Sequence, residues 1–381
     1  VKNAPHLFPR FAAPPDGKQL YLSGLGDSGD GNSLPYVVVR NLDGTEPAMV
    51  FAGKLGTEHG RKTFVPDSGN EGLNNPLGLD CDAQGRVYVG DFMNDRIQVF
   101  DASGKHLKNI AAQKPALLRI DRQSGKLYVF SWLVPSELLL AAKPPVKIQP
   151  ALSVYGPFDK PDVLKQYDLP AGAFGGNYGT FTGIEYAHWF SGEVDFHTDP
   201  PTVWFGRECR NNLESGVAPG NGGAVTPWEK SGILLLREKN GKLETLRDFG
   251  KLALDEAVRA KPPTNAIQRL CVNPVSGLLY VGEADSGPTI KSSRQWLEID
   301  PATGAIKVIE LPFNAMEGCF DLDGLVYLRS TDAVMRFDPS ATPWREAPFD
   351  YGEEVENVGD VIFHRFIKAQ GAILLPSRSP V

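Results

Sequence analysis

Short apolar strands, rather than long amphipathic stretches, set the pattern of this chain. A turn glycine, two or three residues and then an aromatic between aliphatics recur along it. The copies are Gly17-Lys18-Gln19-Leu20-Tyr21-Leu22, Gly85-Arg86-Val87-Tyr88-Val89, Gly125-Lys126-Leu127-Tyr128-Val129, Gly277-Leu278-Leu279-Tyr280-Val281 and Gly324-Leu325-Val326-Tyr327-Leu328. Thr202-Val203-Trp204-Phe205 is a degenerate copy. The glycine suits the positive-φ position of a hairpin turn, and the residues after it are strand formers. A second pattern follows most copies, an aliphatic strand that runs into a glycine turn. It appears as Val37-Val38-Val39 to Gly44, Ile97-Gln98-Val99-Phe100 to Gly104, Leu234-Leu235-Leu236 to Gly241 and Trp296-Leu297-Glu298-Ile299 to Gly304. Val334-Met335-Arg336-Phe337 matches it without the glycine. A further strand such as Met49-Val50-Phe51 or Leu246-Arg247-Asp248-Phe249 can follow.

Each unit therefore predicts four short antiparallel strands. One such sheet alone would leave both faces apolar and exposed. Packing several face to face around a ring buries those faces and leaves only short edges. A β-sandwich, the other way to pair sheets, would not need the repeat. The expected fold is all-β, a β-propeller of six or seven four-stranded blades, with residues 1–381 as a single propeller domain. Blades are expected at about 8–52, 74–112, 115–170, 180–250, 265–312 and 314–352. Residues 355–381 begin another inner pair with Val361-Ile362-Phe363 and Ala372-Ile373-Leu374-Leu375, which favours seven blades with the last incomplete. Either the segment around Leu7-Phe8 or sequence beyond Val381 would complete it.

The clearest unit is Pro76-Leu77-Gly78-Leu79-Asp80-Cys81-Asp82, then Gly85-Arg86-Val87-Tyr88-Val89-Gly90-Asp91, then Asn94-Asp95-Arg96-Ile97-Gln98-Val99-Phe100-Asp101 and Gly104-Lys105. Residues 76–107 closely resemble the NHL repeat, a propeller blade motif, over one blade. The resemblance implies the fold, and it implies that Asp91 and Arg96 tie neighbouring strands. Enzymes on similar propellers include the peptidyl-hydroxyglycine amidating lyase, lactonases and polysaccharide lyases. The first uses several His metal ligands around the channel. Here, of six His, only His59 and His364 fall on inner or top positions, so that site is not evident.

Composition narrows the function. At 41% apolar and 22% charged residues the chain has ample material for a core and is not a disordered one. The 40 Gly and 31 Pro residues fit a turn-rich fold. A net charge of −7 argues against a nucleic-acid partner held through phosphates. No apolar run approaches the ~18 residues that would predict a membrane span. Cys81, Cys209, Cys271 and Cys319 form no C-x-x-C pair, and a disulfide framework is not expected in a chain this large. Cys81, Cys271 and Cys319 sit in apolar stretches and read as small buried hydrophobes. The chain starts at Val1 without a signal peptide in view, so a removed leader or a larger parent protein is expected, in a secreted or periplasmic setting.

Candidate chemistry falls on the loops between second and third strands and between blades, the face where propeller sites usually lie. Residues 131–151 and 207–231, and the inter-blade stretches 53–75, 170–180 and 250–265, are long. Arg207, Arg210 and Asn211 could hold a carboxylate or a sugar hydroxyl. Trp132, with Trp228, would offer an aromatic surface, and Arg294 joins Glu283 and Asp285 on another loop. Asp27, Asp30 and Asn32, on a glycine-rich loop, offer the hard oxygen ligands that suit Ca²⁺. Between residues 185 and 210, His188 and His197 stand among carboxylates and could join a metal site or serve as acid and base. Phe190 to Pro200 reads as a hairpin turning on the face opposite Arg207, which splits that cluster. The first expectation is a binding or scaffolding module presenting its loops to a protein or glycan. The alternative is a lyase or hydrolase acting on a carbohydrate or small molecule at the channel mouth, with His59, Tyr178, Arg207 and Arg210 as catalytic candidates.

Overall fold

A computed structural model describes residues 10–24, 33–41, 48–58, 61–134, 148–170, 190–207, 209–210, 233–249, 265–284, 295–312, 315, 317–329 and 334–347. They form six antiparallel sheets, each a meander of consecutive strands. Blade 1 comprises Arg10–Ala12, Gln19–Ser23, Tyr36–Asn41 and Met49–Glu58. Blade 2 comprises Pro76–Cys81, Val87–Asp91, Arg96–Phe100 and His106–Ala111. Blade 3 comprises Pro115–Ile120, Leu127–Ser131, Ala151–Tyr155 and Val163–Asp168. Blade 4 comprises Phe190–Asp195, Thr202–Arg207, Ile233–Lys239 and Lys242–Asp248. Blade 5 comprises Asn265–Val272, Leu279–Ala284, Gln295–Ile299 and Ile306–Glu310. Blade 6 comprises Glu317–Phe320, Val326–Arg329, Val334–Asp338 and Arg345–Glu346.

The turns form for the reason the sequence suggests. Gly17, Gly85, Gly125, Gly277 and Gly324 all take φ between +63° and +80°. Ahead of four of them stands an Asp or Asn whose side chain accepts backbone N–H groups inside the turn. Asp82 Oδ1 takes those of Gln84 and Arg86, Asp121 Oδ1 that of Gln123, Asn273 Oδ1 those of Val275 and Ser276, and Asp321 Oδ1 those of Asp323 and Leu325. Such side chains mimic a backbone turn and fix where each hairpin reverses.

The apolar faces meet blade against blade, and the seams run all the way round. Tyr21 and Val37 of blade 1 pack with Leu79 and Val89 of blade 2. Tyr88 and Val99 of blade 2 pack with Leu118 and Val129 of blade 3. Leu117 and Phe130 of blade 3 pack with Val194 and Phe205 of blade 4. Trp204 and Leu235 of blade 4 pack with Leu270 and Leu297 of blade 5. Tyr280 and Trp296 of blade 5 pack with Val326 and Leu328 of blade 6. Cys319 of blade 6 packs against the cluster of Phe11, Leu20 and Val38 in blade 1. The ring thus closes at six blades, because the first and last sheets shield each other. The leaning toward seven is corrected to that extent, and the expected partial blade at 355–381 lies outside the described residues. Where inner strands converge, glycine makes room: a Cβ on Gly78 would stand 2.8 Å from Leu118, and one on Gly192 would stand 2.8 Å from Phe130.

Two stretches differ from expectation. Residues 53–65 fall in an expected inter-blade loop, but the last strand of blade 1 runs on to Glu58 and pairs with a fifth strand, Arg61–Val65. Phe64 anchors that hairpin, its ring 4.8 Å from that of Tyr36. Residues Cys209–Arg210 also fall in an expected loop and instead pair with Asn265–Ala266 at the start of blade 5. Asp91 and Arg96 do tie strands. Asp91 Oδ2 accepts from Arg96 Nε at 2.7 Å, from Asn94 Nδ2 at 2.9 Å and from Gln98 Nε2 at 3.1 Å, while its Oδ1 accepts the Asn74 N–H. This carboxylate is fully buried, and its four donors replace the water it loses.

Candidate functional site

The aromatic of each repeat marks a second position by its cross-strand partner. Tyr21 stands opposite Ala12, Tyr88 opposite Asp80, Tyr128 opposite Arg119, Trp204 opposite Glu193, Tyr280 opposite Cys271 and Tyr327 opposite Cys319. Each partner sits at the same level of the innermost strand of its blade. All six line one cavity of about 410 Å³ on the axis of the ring. That volume falls in the range of small-molecule sites, roughly 300–1,000 Å³.

The cavity has a mouth. Its rim includes Ala13, Arg122, Gln123, His197, Pro274 and Leu322, all of which follow first strands. It therefore opens on the face that carries the turns between first and second strands. Away from the mouth, Cys209–Arg210 pairs with the start of the first strand of blade 5, whose other edge is taken by Leu279–Ala284.

Charge is gathered on one side of the wall. Arg119 Nε donates to Glu193 Oε1 across the seam between blades 3 and 4, and its Nη1 donates to the Leu118 carbonyl at 2.8 Å. The Glu193 side chain is 9% exposed and that of Arg119 21%. Burial pushes the Glu193 carboxyl above the usual range, against the pull of Arg119 and of the Val194 N–H. Arg119 stays charged: its own burial works against the ion, but the Glu193 charge and hydrogen bond outweigh it. Asp80 is likewise pushed up by burial, against Arg122, Arg119 and its two backbone donors. Those donors are Cys81 N–H and, from blade 3, Ile120 N–H, both at 2.8 Å. Arg122 reaches back to the carbonyls of Cys81 and Ala13 at 3.1 and 2.6 Å, which ties blade 3 to blades 2 and 1. The other side of the wall, from blades 5, 6 and 1, is apolar and thiol-bearing, with Phe11, Cys271, Val272, Cys319 and Phe320.

At the rim, Asp195 holds His197. Asp195 Oδ1 lies 2.8 Å from His197 Nδ1 and accepts the His197 backbone N–H at 2.9 Å, while Oδ2 accepts from Thr202 at 3.3 Å. The carboxylate is buried and the imidazole partly exposed. A buried acceptor on Nδ1 favours the tautomer with its proton there and leaves Nε2 able to take a proton.

Solved structures resemble the chain at low identity. One is a gluconolactonase from Xanthomonas campestris, 15% identical, with a TM-score of 0.48 over 86% of this chain and 84% of that one. Another is the extracellular domain of BT4673 from B. thetaiotaomicron, 11% identical, with a TM-score of 0.44 over 91% of this chain and 33% of that one. No protein-family model matches the chain, and no curated protein matches it.

The sequence-derived candidates divide sharply. His59, Tyr178, Asn211, Arg294, Asp27, Asp30, Asn32, His188, Trp228 and His364 lie outside the described residues. Arg207 ends the second strand of blade 4 opposite Phe190, and Arg210 lies beside Asn265, both at the end of the channel away from the mouth. His197 is at the mouth end, so the 185–210 cluster is indeed split. Trp132 is corrected from a surface aromatic to a core one. It is 2% exposed between Phe130 and Phe205, whose ring centroids lie 5.9 and 6.4 Å away, and a ring so enclosed presents nothing to a partner. Cys81 and Cys271 are buried thiols as expected, whereas Cys319 is partly exposed on the cavity wall. Asp80 and Arg119 were missed because a polar residue in a strand reads as solvent-facing unless its cross-strand partner is known, and Arg122 because a charged residue in a hairpin turn reads the same way. Among the described residues, no three His, Cys, Asp or Glu side chains are placed to hold a metal ion. Among them, too, no helix is long and apolar enough to cross a membrane.

Proposed function

We propose that this propeller takes up a small organic molecule in the channel between its blades, through the mouth rimmed by His197 and Arg122. The observation that carries the reading is the ring at one level of the channel, in which Asp80, Arg119 and Glu193 face Ala12, Cys271 and Cys319 around about 410 Å³. Polar groups on one side and apolar groups on the other are what orient a small ligand in a largely preformed site. The proposal keeps the broader expectation of a binding module and moves its site from the long loops to the axis. The Asp91–Arg96 bridge supports the kinship of blade 2 with NHL repeats.

The test is a panel of small amines, alcohols, carboxylates and monosaccharides followed by thermal unfolding. A ligand present at about 100 times its Kd stabilises by about 2.7 kcal/mol. Ala12→Phe, which fills the cavity, should abolish the shift while keeping the native far-ultraviolet spectrum; Cys319→Phe on the adjacent blade is the second blocking variant. Shifts that survive both variants, or a panel without a single shift, would place the function elsewhere.

The Asp195–His197 pair favours a second reading, in which the bound molecule is also turned over by acid–base chemistry at the mouth. His197 would take and return the proton, with Asp195 fixing its orientation. His197→Asn should then leave the affinity within about two-fold and lower turnover by about 10²–10⁴, the usual contribution of a positioned acid–base group. Binding without turnover by the native chain removes this reading and leaves the first.

A further inference from the structure

Resting on the channel reading, we infer that the occupant is a cation, a protonated amine or quaternary ammonium carried on a compact apolar body. Among the described residues, three carboxylates line the cavity, Asp80, Asp121 and Glu193, against two cations, Arg119 and Arg122. Among the described residues no lysine lines it. Most of these charges are already answered. Arg122 is engaged by two carbonyls, and each Asp80 oxygen accepts a backbone N–H. Asp121 is turned into its own hairpin by Gln123 N–H and Ser124.

Glu193 is different. Its side chain is more than nine-tenths buried, at 9% exposed. Arg119 and the Val194 N–H both go to Oε1, and Oε2 has no partner among the described residues. A carboxylate oxygen in the wall of a cavity, on a side chain this enclosed, gains from a charged donor. Three phenylalanines, Phe11, Phe196 and Phe320, also line the cavity. Ring faces attract cations, more strongly where water is excluded. An anion would meet the surplus negative charge. A neutral alcohol could donate to Oε2 but would leave the imbalance in place and gain nothing from the ring quadrupoles. The overall charge of −7 adds to the same preference rather than opposing it.

Benzylamine, benzyl alcohol and benzoate share one ring and differ in charge, so they separate these cases. Isothermal titration of the full chain at neutral pH and low salt should find benzylamine at least ten-fold tighter than the other two, with an affinity that falls as salt is added. Glu193→Gln should shrink that preference to under two-fold. Should Glu193→Gln not fold, Phe320→Leu should weaken benzylamine several-fold and leave benzyl alcohol unchanged. Benzyl alcohol or benzoate binding as tightly as benzylamine would overturn the cation. So would a panel in which uncharged or anionic compounds alone bind. In both cases, sensitivity to Ala12→Phe keeps the channel reading alive. No binding by any of the three, with no stabilisation across the panel, takes down both.

Discussion

Arg119→Met should lower the unfolding free energy by about 3 kcal/mol, the low end of the roughly 3–5 kcal/mol for breaking a buried pair from one side. The low end applies because the Arg119 side chain keeps 21% of its surface exposed, so water can reach what remains. The loss comes from the survivor: Glu193 would stay in the wall of the channel with its charge unmatched. Removing both groups should therefore cost less than removing one. Arg119→Met with Glu193→Met should recover most of the loss, since an apolar pair of similar volume is often neutral. The effect should also depend on pH, with a definite sign. The Glu193 carboxyl is held above its unfolded value by burial, so the folded state binds its proton more tightly than the unfolded chain does. Stability from this group is therefore greatest below the ordinary carboxylate range and is lost as pH rises through the raised value. Without Arg119 that value climbs further, and the penalty at pH 8 should exceed the penalty at pH 5. Asp67, Asp101, Asp300 and Asp338 are shifted downward and run the other way, but they are solvent-screened and common to both proteins. Urea midpoints of native, single and double variants at the two pH values decide the matter. A single variant that loses under about 1 kcal/mol, with no pH slope, would show that the pair does not staple blades 3 and 4.

The sequence exposes the blades better than the site, and one register explains both. Glycine at positive φ and the turn-making Asp or Asn repeat because every hairpin needs them, so Gly85, Gly125, Gly277 and Gly324 announce four second strands directly. The aromatic after each of them is buried between blades, where the packing calls for a large ring, so it recurs recognisably along the chain. The channel position has no such constraint. Ala12, Asp80, Arg119, Glu193, Cys271 and Cys319 occupy equivalent places on the cavity wall and share no chemistry. The signal that could have found them was the pairing itself. Directly opposed residues on antiparallel strands share a face, so counting back across each hairpin from Tyr88, Tyr128 or Trp204 lands on Asp80, Arg119 and Glu193. Blade number escaped for a different reason. Closure depends on Cys319 meeting Phe11 and Leu20, a contact between residues more than 290 apart in the chain that no local pattern encodes. Loop length drew attention to Arg207 and Arg210, whose backbones lie at the ends of strands in blades 4 and 5 away from the mouth.

Trp296→Ala should cost about 3–5 kcal/mol, the usual range for removing a large aromatic from a core. The indole is completely buried at the seam of blades 5 and 6, the two blades that supply the thiol side of the channel wall. Two glycines make its room. A Cβ on Gly282 would stand 2.4 Å from the ring, and one on Gly318 would stand 2.8 Å from it. Neither glycine has a positive φ, so space rather than backbone conformation excludes a side chain there. That makes the site reciprocal. Gly282→Val should be strongly destabilising beside the native tryptophan and much less so when combined with Trp296→Ala, because the new side chain then enters the void. The coupling between the two changes should therefore be favourable and larger than the few tenths of a kcal/mol expected of distant sites. Trp296→Phe isolates the polar part of the same ring. The indole Nε1 has no hydrogen-bond partner among the described residues, so replacing it by phenyl gives up volume but removes a buried donor left without an acceptor. Its loss should be about 1 kcal/mol or less. Denaturant unfolding of the three single variants and the Gly282→Val/Trp296→Ala double variant measures every term. If Trp296→Phe is as damaging as Trp296→Ala, the indole nitrogen is bonded after all. If the two changes at 282 and 296 simply add, the seam is not packed as described.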